Sequence, residues 1–375
     1  MATKPLWATV ETPDGIVIPG PHGVSAESEL YPGISSMVAF IISGGEAIMT
    51  DPGMRTRSEY PSGVLDEVCG ILDRRNLRLK YIVQTHWHFD HTGNTRYVKE
   101  RYGAEVLCHP KERAIIEDPM LATRPEYVES FGGSVEEIAE DLNLEDPSAV
   151  LVPEDTMRGH WNHPVGVDRT VEDGEVLEVG DLEIRVMHTP GHTPGHLSLY
   201  NPSSESLYLV DVMYWPTPIH PHPLGKADEQ IESVRKCLAL EAEYLFPGHE
   251  LPRSGRQDTK DYLEDVLVKQ LQLERRLLVL LDRHGTLTIP ELHAETFVIK
   301  ERYDYGPYSL NCVHSHVRRL LQQRKVARVK RDDGQVAWAV TEEGRPPQGA
   351  SGVVGGHERA MEEVPLLKGL VTGRE

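Results

Sequence analysis

The sequence predicts an α/β protein with one large layered domain followed by a small, mainly helical domain. Strand-like and helix-like segments alternate between residues 36 and 108, a pattern typical of layered α/β folds. Histidine or aspartate recurs where several predicted strands end, so one edge of the layers is expected to carry a polar site. From Thr259 onward the pattern changes to helices and a final hairpin, which indicates a second domain.

Composition and length fit this division. The chain has 375 residues, of which 26% are charged and 39% hydrophobic, enough for one large domain and one small one. Residues 1–20 contain no apolar core of a signal peptide, and no stretch approaches the roughly 20 apolar residues that span a bilayer. The four cysteines form no C-x-x-C pair and are predicted to be reduced thiols: Cys69, Cys108, Cys237 and Cys312. We therefore expect a cytoplasmic protein without a membrane partner.

The formal net charge of −20 is concentrated in the large domain. Residues 1–255 hold 20 Lys and Arg against 41 Asp and Glu, whereas residues 256–345 hold 16 against 14. Residues 346–375 hold 3 against 4. An acidic large domain repels polyanions such as nucleic acids unless a local basic patch overcomes the repulsion. Ordinary solubility is the commoner reason for such an excess.

The predicted elements of the first half lead to a strand-end carboxylate. Residues 1–33, rich in Pro and Gly, are expected to wrap a surface or rim the site. Residues 36–50 read as a β-hairpin turned at Ser43-Gly44-Gly45, and the hairpin ends at Asp51. Residues 63–76 have helical spacing, residues 79–84 form a buried strand, and residues 104–108 form the next strand after a helix at 94–100.

The segment T-H-x-H-x-D-H, residues 85–91, is the strongest chemical signal. It lies between the strand at 79–84 and a helix start, where several side chains can point to one place. His86 and His88 could share one metal ion, and Asp90 and His91 could face a second. Imidazole and carboxylate ligands suit zinc best, with iron, manganese or nickel as weaker options. A polar loop with incidental histidines is the alternative, and three histidines within six residues argue against it.

Residues 111–170 interrupt the strand–helix rhythm and are predicted to form an insertion that serves as a lid or substrate loop. A helical piece is expected near residues 135–142. Gly159-His160-Trp161-Asn162-His163 could contact a substrate or form a surface aromatic cluster, and the sequence leaves both interpretations open.

Further strands each end in a metal-type ligand. Strands are predicted at residues 176–181 and 182–187, and the second enters H-T-P-G-H-T-P-G-H, residues 188–196, whose Gly and Pro residues fix a tight loop. The strand at 207–210 ends at Asp211, and the strand at 244–247 is followed by His249. This recurrence at separate strand ends predicts a metal site.

These motifs, taken in order along residues 35–250, resemble those of the metallo-β-lactamase superfamily. The resemblance implies a four-layer αββα sandwich with a binuclear metal site at one sheet edge. It assigns His86, His88 and His192 to the first ion, Asp90, His91 and His249 to the second, and Asp211 to a bridge between them. It also implies that Asp51 supports the site and that His196 lies near the ions without binding them. The sequence departs from the family at Val210, where many members have glycine.

The binuclear site implies a hydrolytic mechanism. Two cations lower the pKa of a shared water and hold hydroxide near neutral pH, and this hydroxide attacks the substrate. Asp90 is predicted to accept or relay a proton, and Asp51 is a candidate partner for the second ring nitrogen of a histidine ligand. No G-x-S-x-G motif is present and Cys108 has no activating neighbour in the sequence, so covalent catalysis is not expected.

The C-terminal part is predicted to form a winged-helix-like domain. Helices are expected at residues 262–283, from 287–292 onward and at 310–323, followed by a hairpin of residues 326–330 and 336–340 that turns at Asp332-Asp333-Gly334. This order resembles the C-terminal module of the β-lactamase-like subgroup that includes endoribonucleases and small-molecule hydrolases. The predicted organisation is residues 1–255 for the catalytic domain, 256–345 for the winged-helix-like domain and 346–375 for a flexible tail.

A basic run in this module leaves two interpretations. Seven Lys and Arg residues without an intervening acidic residue could place a helix on nucleic acid: Arg318, Arg319, Arg324, Lys325, Arg328, Lys330 and Arg331. The favoured alternative is a solvated helix face, with the module acting as a dimer contact or as a wall of the substrate cleft.

The sequence therefore favours a metal-dependent hydrolase, with two Zn²⁺ (or Fe or Mn), that acts on a small-molecule ester, thioester, lactone or amide. A metal-dependent endoribonuclease is the alternative, a hydrolytic dehalogenase of an activated ring is a minor one, and a binding protein with a spent site is disfavoured because every ligand position is filled. In the Pro-rich loop 215–223, His220 and His222 alternate and are predicted to face one side, as a substrate rim rather than a third metal site.

Overall fold

Two large β-sheets and a third small one organise the part of the chain that the computed structural model describes. That part comprises residues 10–18, 36–53, 63–154, 157, 163–212, 223–296 and 307–347. The first sheet has seven strands in chain order: β1 (Val10–Thr12), β2 (Gly15–Ile18), β3 (Val38–Ser43), β4 (Glu46–Thr50), β5 (Arg78–Val83), β6 (Glu105–Cys108) and β7 (Arg169–Thr170).

The first sheet begins antiparallel and becomes parallel where the metal motif lies. The predicted hairpin of β3 and β4 is present, and Gly44 and Gly45 turn it with φ of 59° and 81°, values that glycine adopts without steric cost. β4, β5, β6 and β7 pair in parallel, so their carboxyl ends meet at one edge. Residues 10–18 belong to the segment expected to wrap a surface or rim the site, and they form a hairpin, which was not predicted, that extends this sheet beside β3.

The second sheet has six strands in the order β13-β12-β11-β10-β9-β8. Its strands are β8 (Val176–Val179), β9 (Leu182–His188), β10 (Leu197–Asn201), β11 (Ser206–Val210), β12 (Tyr244–Pro247) and β13 (Arg253–Ser254). β11 and β12 are parallel and the other pairs are antiparallel. Consequently the loops after β9, β11 and β12 can reach one edge of the layers.

Alternation of side chains along the strands builds the layers. In β3, Ala39 and Ile41 pack with buried side chains of the second sheet, such as Leu199. Val38 and Phe40, on the opposite face, pack with helical residues. A third apolar cluster joins the second sheet to two helices. The result is a mixed α/β fold in which two facing sheets are covered by helices.

The helices of the large domain include those of the predicted insertion. They are α1 (Gly63–Arg74), α2 (Phe89–Thr92), α3 (Thr95–Tyr102), α4 (Pro110–Glu117), α5 (Pro125–Glu129), α6 (Val135–Leu142) and α7 (Ala227–Leu238). α6 spans the residues predicted for it, with the Ser134 side chain capping its first turn. The insertion is more helical than expected, because 3₁₀-helices at Pro119–Thr123 and Pro147–Val150 join its α-helices.

The C-terminal part contains the three predicted helices and the hairpin. They are α8 (Arg256–His284), α9 (Ile289–Thr296), α10 (Pro307–Gln322), β15 (Val326–Lys330) and β16 (Val336–Val340). α8 begins six residues before the predicted start at Tyr262. A short strand that was not predicted, β14 (Thr286–Leu287), completes a three-stranded sheet in the order β14-β16-β15. The predicted flexible tail lies outside the described residues, apart from Pro346 and Pro347.

Two further expectations concern cysteines and membranes. All four cysteines are buried and unpaired with one another. In the described ranges, every helix is too short or too polar to cross a bilayer.

Candidate metal centre

Asp51, which follows β4, is completely buried beneath the metal motif. Its Oδ1 accepts hydrogen bonds from the Thr85 amide (2.8 Å) and from Nε2 of Gln84 (2.9 Å). Its Oδ2 accepts one from the Thr85 hydroxyl (2.5 Å) and lies 2.9 Å from Nδ1 of His91. Asp51 thus fixes the start of the motif and occupies one ring nitrogen of His91, which leaves Nε2 free to face the centre of the site.

The first group of predicted ligands meets at three ring nitrogens. Nδ1 of His88 lies 2.9 Å from Nε2 of His86 and 2.9 Å from Nε2 of His192. His86 follows β5, and His192 lies in the loop after β9, so the two sheets contribute to one point. The second ring nitrogen of His86 lies 3.0 Å from the Thr85 hydroxyl, which orients the ring.

The second group comprises Asp90, His91 and His249. Their candidate ligand atoms all lie within 4.8 Å of one another. Nε2 of His249 is 3.2 Å from Oδ2 of Asp90, and Nε2 of His91 is 3.5 Å from the same oxygen. Asp90 and His91 belong to the single turn of α2, whereas His249 follows β12.

One carboxylate oxygen lies between the two groups. Oδ2 of Asp211 is 3.3 Å from Nε2 of both His91 and His249, 3.5 Å from Nε2 of His192 and 3.9 Å from Nε2 of His86. This is the position that a bridging ligand requires. The structure therefore brings together all seven side chains for which metal binding was predicted.

Glycines permit the close approach of these loops. A Cβ atom at Gly248 would lie 2.0 Å from Oδ1 of Asp211. Gly191 has φ of 127°, and a Cβ atom there would lie 2.3 Å from the backbone nitrogen of Gln230 in α7. Side chains at these positions would push His249 and His192 away from the centre.

The histidines of the site differ in the direction in which their surroundings shift the pKa of the imidazole. Burial and the neighbouring imidazoles lower the pKa of His86 and His88, so these rings are neutral and can bind a cation. Burial also disfavours protonation of His249, but the carboxylates of Asp211 and Asp90 raise its pKa to about 9. For Asp90, burial is outweighed by His91 and His249, and the pKa of its carboxyl falls to about 2. The carboxylate side of the site therefore attracts positive charge.

Two buried atoms indicate that the site fits metal ions. Within the described part of the chain, Nε2 of His91 and Oδ1 of Asp211 make no well-aligned hydrogen bond. A buried polar atom without a partner is costly, and a cation can satisfy both atoms. Three converging imidazole nitrogens cannot all donate to one another, but they can all bind one ion. The donor set therefore fits divalent cations.

Some predicted residues are not among the ligand groups. His196 contacts Asp211 through its backbone rather than through its carboxylate, since the Asp211 amide donates to Nε2 of His196 at 3.1 Å. His220 and His222 lie outside the described residues, as does His160. His163 is described and half-buried.

The sequence interpretation missed Glu112. This glutamate is fully buried and accepts hydrogen bonds from the amides of Trp87 and Gly195 and from the Thr193 hydroxyl. Burial raises the pKa of its carboxyl to about 7, although the three donors act in the opposite direction. A signal was available, because Glu112 follows the end of β6 at the edge where the other strands end in ligands. The predicted boundaries place it instead in the insertion of residues 111–170.

The comparisons with known proteins agree with this geometry. Residues 31–249 match the model of the metallo-beta-lactamase superfamily. A metallo-beta-lactamase family protein of Thermus thermophilus has a similar solved structure, with a TM-score of 0.63 and 21% identity over 90% of this chain and 97% of that one. At that identity the likeness concerns the fold alone.

Two curated relatives carry functional names. A probable metallo-hydrolase of Bacillus subtilis is 27% identical over 206 residues, which cover 50% of this chain and 70% of that protein. A hydroxyacylglutathione hydrolase of Rhodospirillum rubrum is 27% identical over 173 residues, which cover 46% of this chain and 48% of that protein.

Proposed function

Because the chain belongs to the metallo-beta-lactamase superfamily, we propose that it is a hydrolase with two divalent cations that cleaves a small-molecule ester, thioester, lactone or amide. The observation that carries the proposal is Asp211, whose Oδ2 lies within 3.9 Å of ring nitrogens from both histidine groups. The names of the two hydrolase relatives support the reaction class.

The proposed ligands are His86, His88 and His192 for one ion, Asp90, His91 and His249 for the other, and Asp211 for both. When bound, two such ions act as Lewis acids and lower the pKa of a water molecule. Nitrogen and oxygen ligands suit zinc, and they also accept iron or manganese.

The surrounding residues position the ligands and hold protons. Asp51 keeps Nδ1 of His91 occupied, so that Nε2 is the ring nitrogen that would bind the ion. The low pKa of Asp90 keeps its carboxylate ionised at neutral pH, which favours a ligand role over a role as a proton store. Proton transfer through Asp90 stays a prediction.

The ion pairs of the C-terminal part support a small substrate over RNA. Arginines of the basic run face acidic side chains of the same chain: Arg318 with Glu137 (2.6 Å), Arg319 with Glu274 (2.6 Å), Arg328 with Asp141 (2.7 Å) and Glu140 (2.8 Å), and Arg331 with Glu291 (2.7 Å). These pairs reduce the positive potential that phosphate binding needs. We therefore keep the endoribonuclease as the disfavoured alternative.

We further propose that residues 256–345 form a winged-helix-like domain that acts as a wall beside the site. Ser315 of α10 accepts a hydrogen bond from the Ala227 amide (2.8 Å) and donates one to the Gly225 carbonyl (3.2 Å). Lys226, which lies between Gly225 and Ala227, donates its amide hydrogen to the carbonyl of Gly191 at 2.8 Å. Gly191 precedes His192 in the loop after β9. These contacts favour a domain that supports the site. A homodimer contact through this domain stays a prediction.

Two measurements test the proposal. Metal analysis of protein purified without chelator is expected to find about two transition-metal ions per chain. A screen of esters, thioesters, lactones, amides, β-lactams and labelled RNA is expected to find metal-dependent hydrolysis of a small molecule. Folded protein that hydrolyses these compounds without transition metal would contradict the metal mechanism. Preferential cleavage of RNA would favour the alternative.

The loop 215–223 is proposed as part of the substrate rim, because it follows Asp211 closely in the chain. The double substitution His220→Ala and His222→Ala is expected to raise KM or lower kcat without changing metal content. Loss of one equivalent of metal would instead assign these histidines to an ion.

A further inference from the structure

Glu112 contacts both loops that supply the first ion site. It lies in the first turn of α4, which starts directly after β6, and its side chain is completely buried. Trp87, which stands between His86 and His88, donates its amide hydrogen to Oε2 at 3.1 Å. The loop after β9 occupies the other oxygen: Oε1 accepts from the Thr193 hydroxyl (2.8 Å) and from the Gly195 amide (2.7 Å).

The division of the two oxygens gives this carboxylate a geometric role. One oxygen binds the loop of His86 and His88, and the other binds the loop of His192. Nδ1 of His88 and Nε2 of His192 belong to different loops and lie 2.9 Å apart. The two loops must therefore keep a fixed separation for both nitrogens to bind one ion. A carboxylate can accept from all three donors at once, which an amide or hydroxyl in its place cannot do.

Glu112 packs tightly against the loop after β9, so a shift of its side chain would also shift that loop. A Cβ atom at residue 195 would lie 2.6 Å from Cγ of Glu112 and 2.8 Å from its Oε1. The second glycine of the H-T-P-G-H-T-P-G-H loop is therefore needed for the loop to sit against the glutamate. This explains a residue of the motif that ligand geometry alone does not require.

We propose that Glu112 is a positioning residue that sets the separation of the His86/His88 loop from the His192 loop, and thereby the affinity of the first ion site. The inference rests on the proposed function only in taking these histidines as metal ligands. It gives the start of the predicted insertion a role in the metal site, in addition to any role as a lid.

Glu112→Gln tests this role because it keeps the shape of the side chain. Its amide nitrogen must face either the Trp87 amide or the donors of Thr193 and Gly195, so one loop loses its acceptor. Zn²⁺ affinity, measured by competition with a chromophoric chelator, is expected to fall about 10- to 100-fold. The absorption spectrum of the Co²⁺-substituted protein is expected to change, since it reports ligand geometry.

Glu274→Gln is the matched control. Glu274 is also buried and hydrogen-bonded, but its partners are His316 and Arg319 of α10 rather than the metal loops. This control is expected to lower the melting temperature while leaving Zn²⁺ affinity and the Co²⁺ spectrum unchanged. A merely structural role of Glu112 predicts the same behaviour for Glu112→Gln.

Wild-type Zn²⁺ affinity and an unchanged Co²⁺ spectrum in Glu112→Gln would overturn the inference. If Glu112→Gln does not fold, Zn²⁺ affinity is measured in Thr193→Val instead. This substitution removes one of the three hydrogen bonds to Glu112 and keeps the buried carboxylate. Weaker Zn²⁺ binding in Thr193→Val supports the inference, and unchanged binding refutes it. Failure of the wild-type protein to bind Zn²⁺ or any other divalent transition metal would instead contradict the proposed function, so the two failures are distinguishable.

Discussion

The backbone amide of Asp211 donates a hydrogen bond to Nε2 of His196 at 3.1 Å. Nε2 must therefore be unprotonated, and Nδ1 carries the hydrogen that faces the Thr189 hydroxyl at 2.9 Å. Burial and the nearby His192 lower the pKa of His196 to about 3, which keeps the ring neutral. His196 thus orients the backbone of Asp211, whereas the Asp211 carboxylate faces the ligand groups.

This relationship predicts unequal effects of two substitutions. Asp211→Ala removes the shared carboxylate, which in the proposed binuclear site offsets the repulsion between the two cations, so kcat/KM is expected to fall more than about 100-fold, with loss of metal. His196→Ala removes only an orienting ring, and a loss of about 10- to 100-fold is expected. Steady-state kinetics with metal analysis of both variants checks this. Equal losses with full metal in both would contradict the assignment of Asp211 as the bridge.

Much of the site could be predicted because each proposed ligand follows an apolar strand in the sequence. His86, Asp211 and His249 all stand within three residues of a strand end. Glu112 could not be assigned in this way, because its contact with Gly195 joins residues 83 positions apart and depends on how the sheets pack. The same holds for Ser315, whose partners lie in a segment about 90 residues away. Local patterns specify elements, whereas contacts between distant loops depend on tertiary packing.

The departure from glycine at Val210 has a measurable consequence. Val210 is buried and adopts φ of 55°, a left-handed conformation in which a β-branched residue is strained by about 1–3 kcal/mol. Glycine relieves this strain and alanine does not. We therefore expect Val210→Gly to be at least as stable as Val210→Ala, measured as free energy of unfolding in denaturant.

Val186 provides the control, because it is equally buried in a strand and lies outside the positive-φ set. There Val186→Gly is expected to be about 1 kcal/mol less stable than Val186→Ala, since glycine loses more conformational freedom on folding. The same order of stability at both positions would show that Val210 is not strained.

His109 predicts a pH dependence of stability. Its Nδ1 caps α4 by accepting from the Lys111 amide at 3.2 Å, and its ring stacks on His188 with 4.1 Å between centroids. Burial, His188 and Lys111 together lower the pKa of His109 to about 4. Below pH 6.5 the unfolded chain takes up a proton that the folded chain does not, so this residue makes the protein less stable as the pH falls from 6.5 towards 4.

His109→Asn keeps a side chain that can cap the helix but does not titrate. The variant is expected to be less stable than the wild type at pH 7.5, because stacking and burial are lost. The difference in stability between the wild type and His109→Asn should become smaller as the pH falls from 7.5 to 5. Melting temperatures of both proteins across this range, at equal metal loading, check the prediction. A difference that stays constant or widens would contradict it.

Asp141 predicts that the insertion and the C-terminal part stabilise each other. Its side chain is completely buried in α6 and faces one imidazole and two guanidinium groups: Nε2 of His314 at 3.0 Å, Arg328 at 2.7 Å and Arg318 at 3.3 Å. Asn143, just after α6, binds both the amide and the carbonyl of Val336 in β16. Breaking a buried ion pair by removing one partner costs about 3–5 kcal/mol. Because the arginines are about one-third exposed, the loss for Asp141→Asn is expected near the lower end of that range.

Chemical denaturation of Asp141→Asn tests this loss, with Glu136→Gln as the control because Glu136 is an exposed acid on the same helix. Burial opposes ionisation of Asp141, but hydrogen bonds from His314 and Arg328 lower the pKa of its carboxyl below 3.8. The contribution of ionised Asp141 to the free energy of unfolding is therefore complete above pH 3.8, the pKa of the group in the unfolded chain. It is lost only as the pH falls through the lower pKa of the group in the folded protein. The difference between wild type and variant should stay constant from pH 7 to 5. Equal unfolding free energies of Asp141→Asn and Glu136→Gln would mean that α6 is not stabilised by this contact.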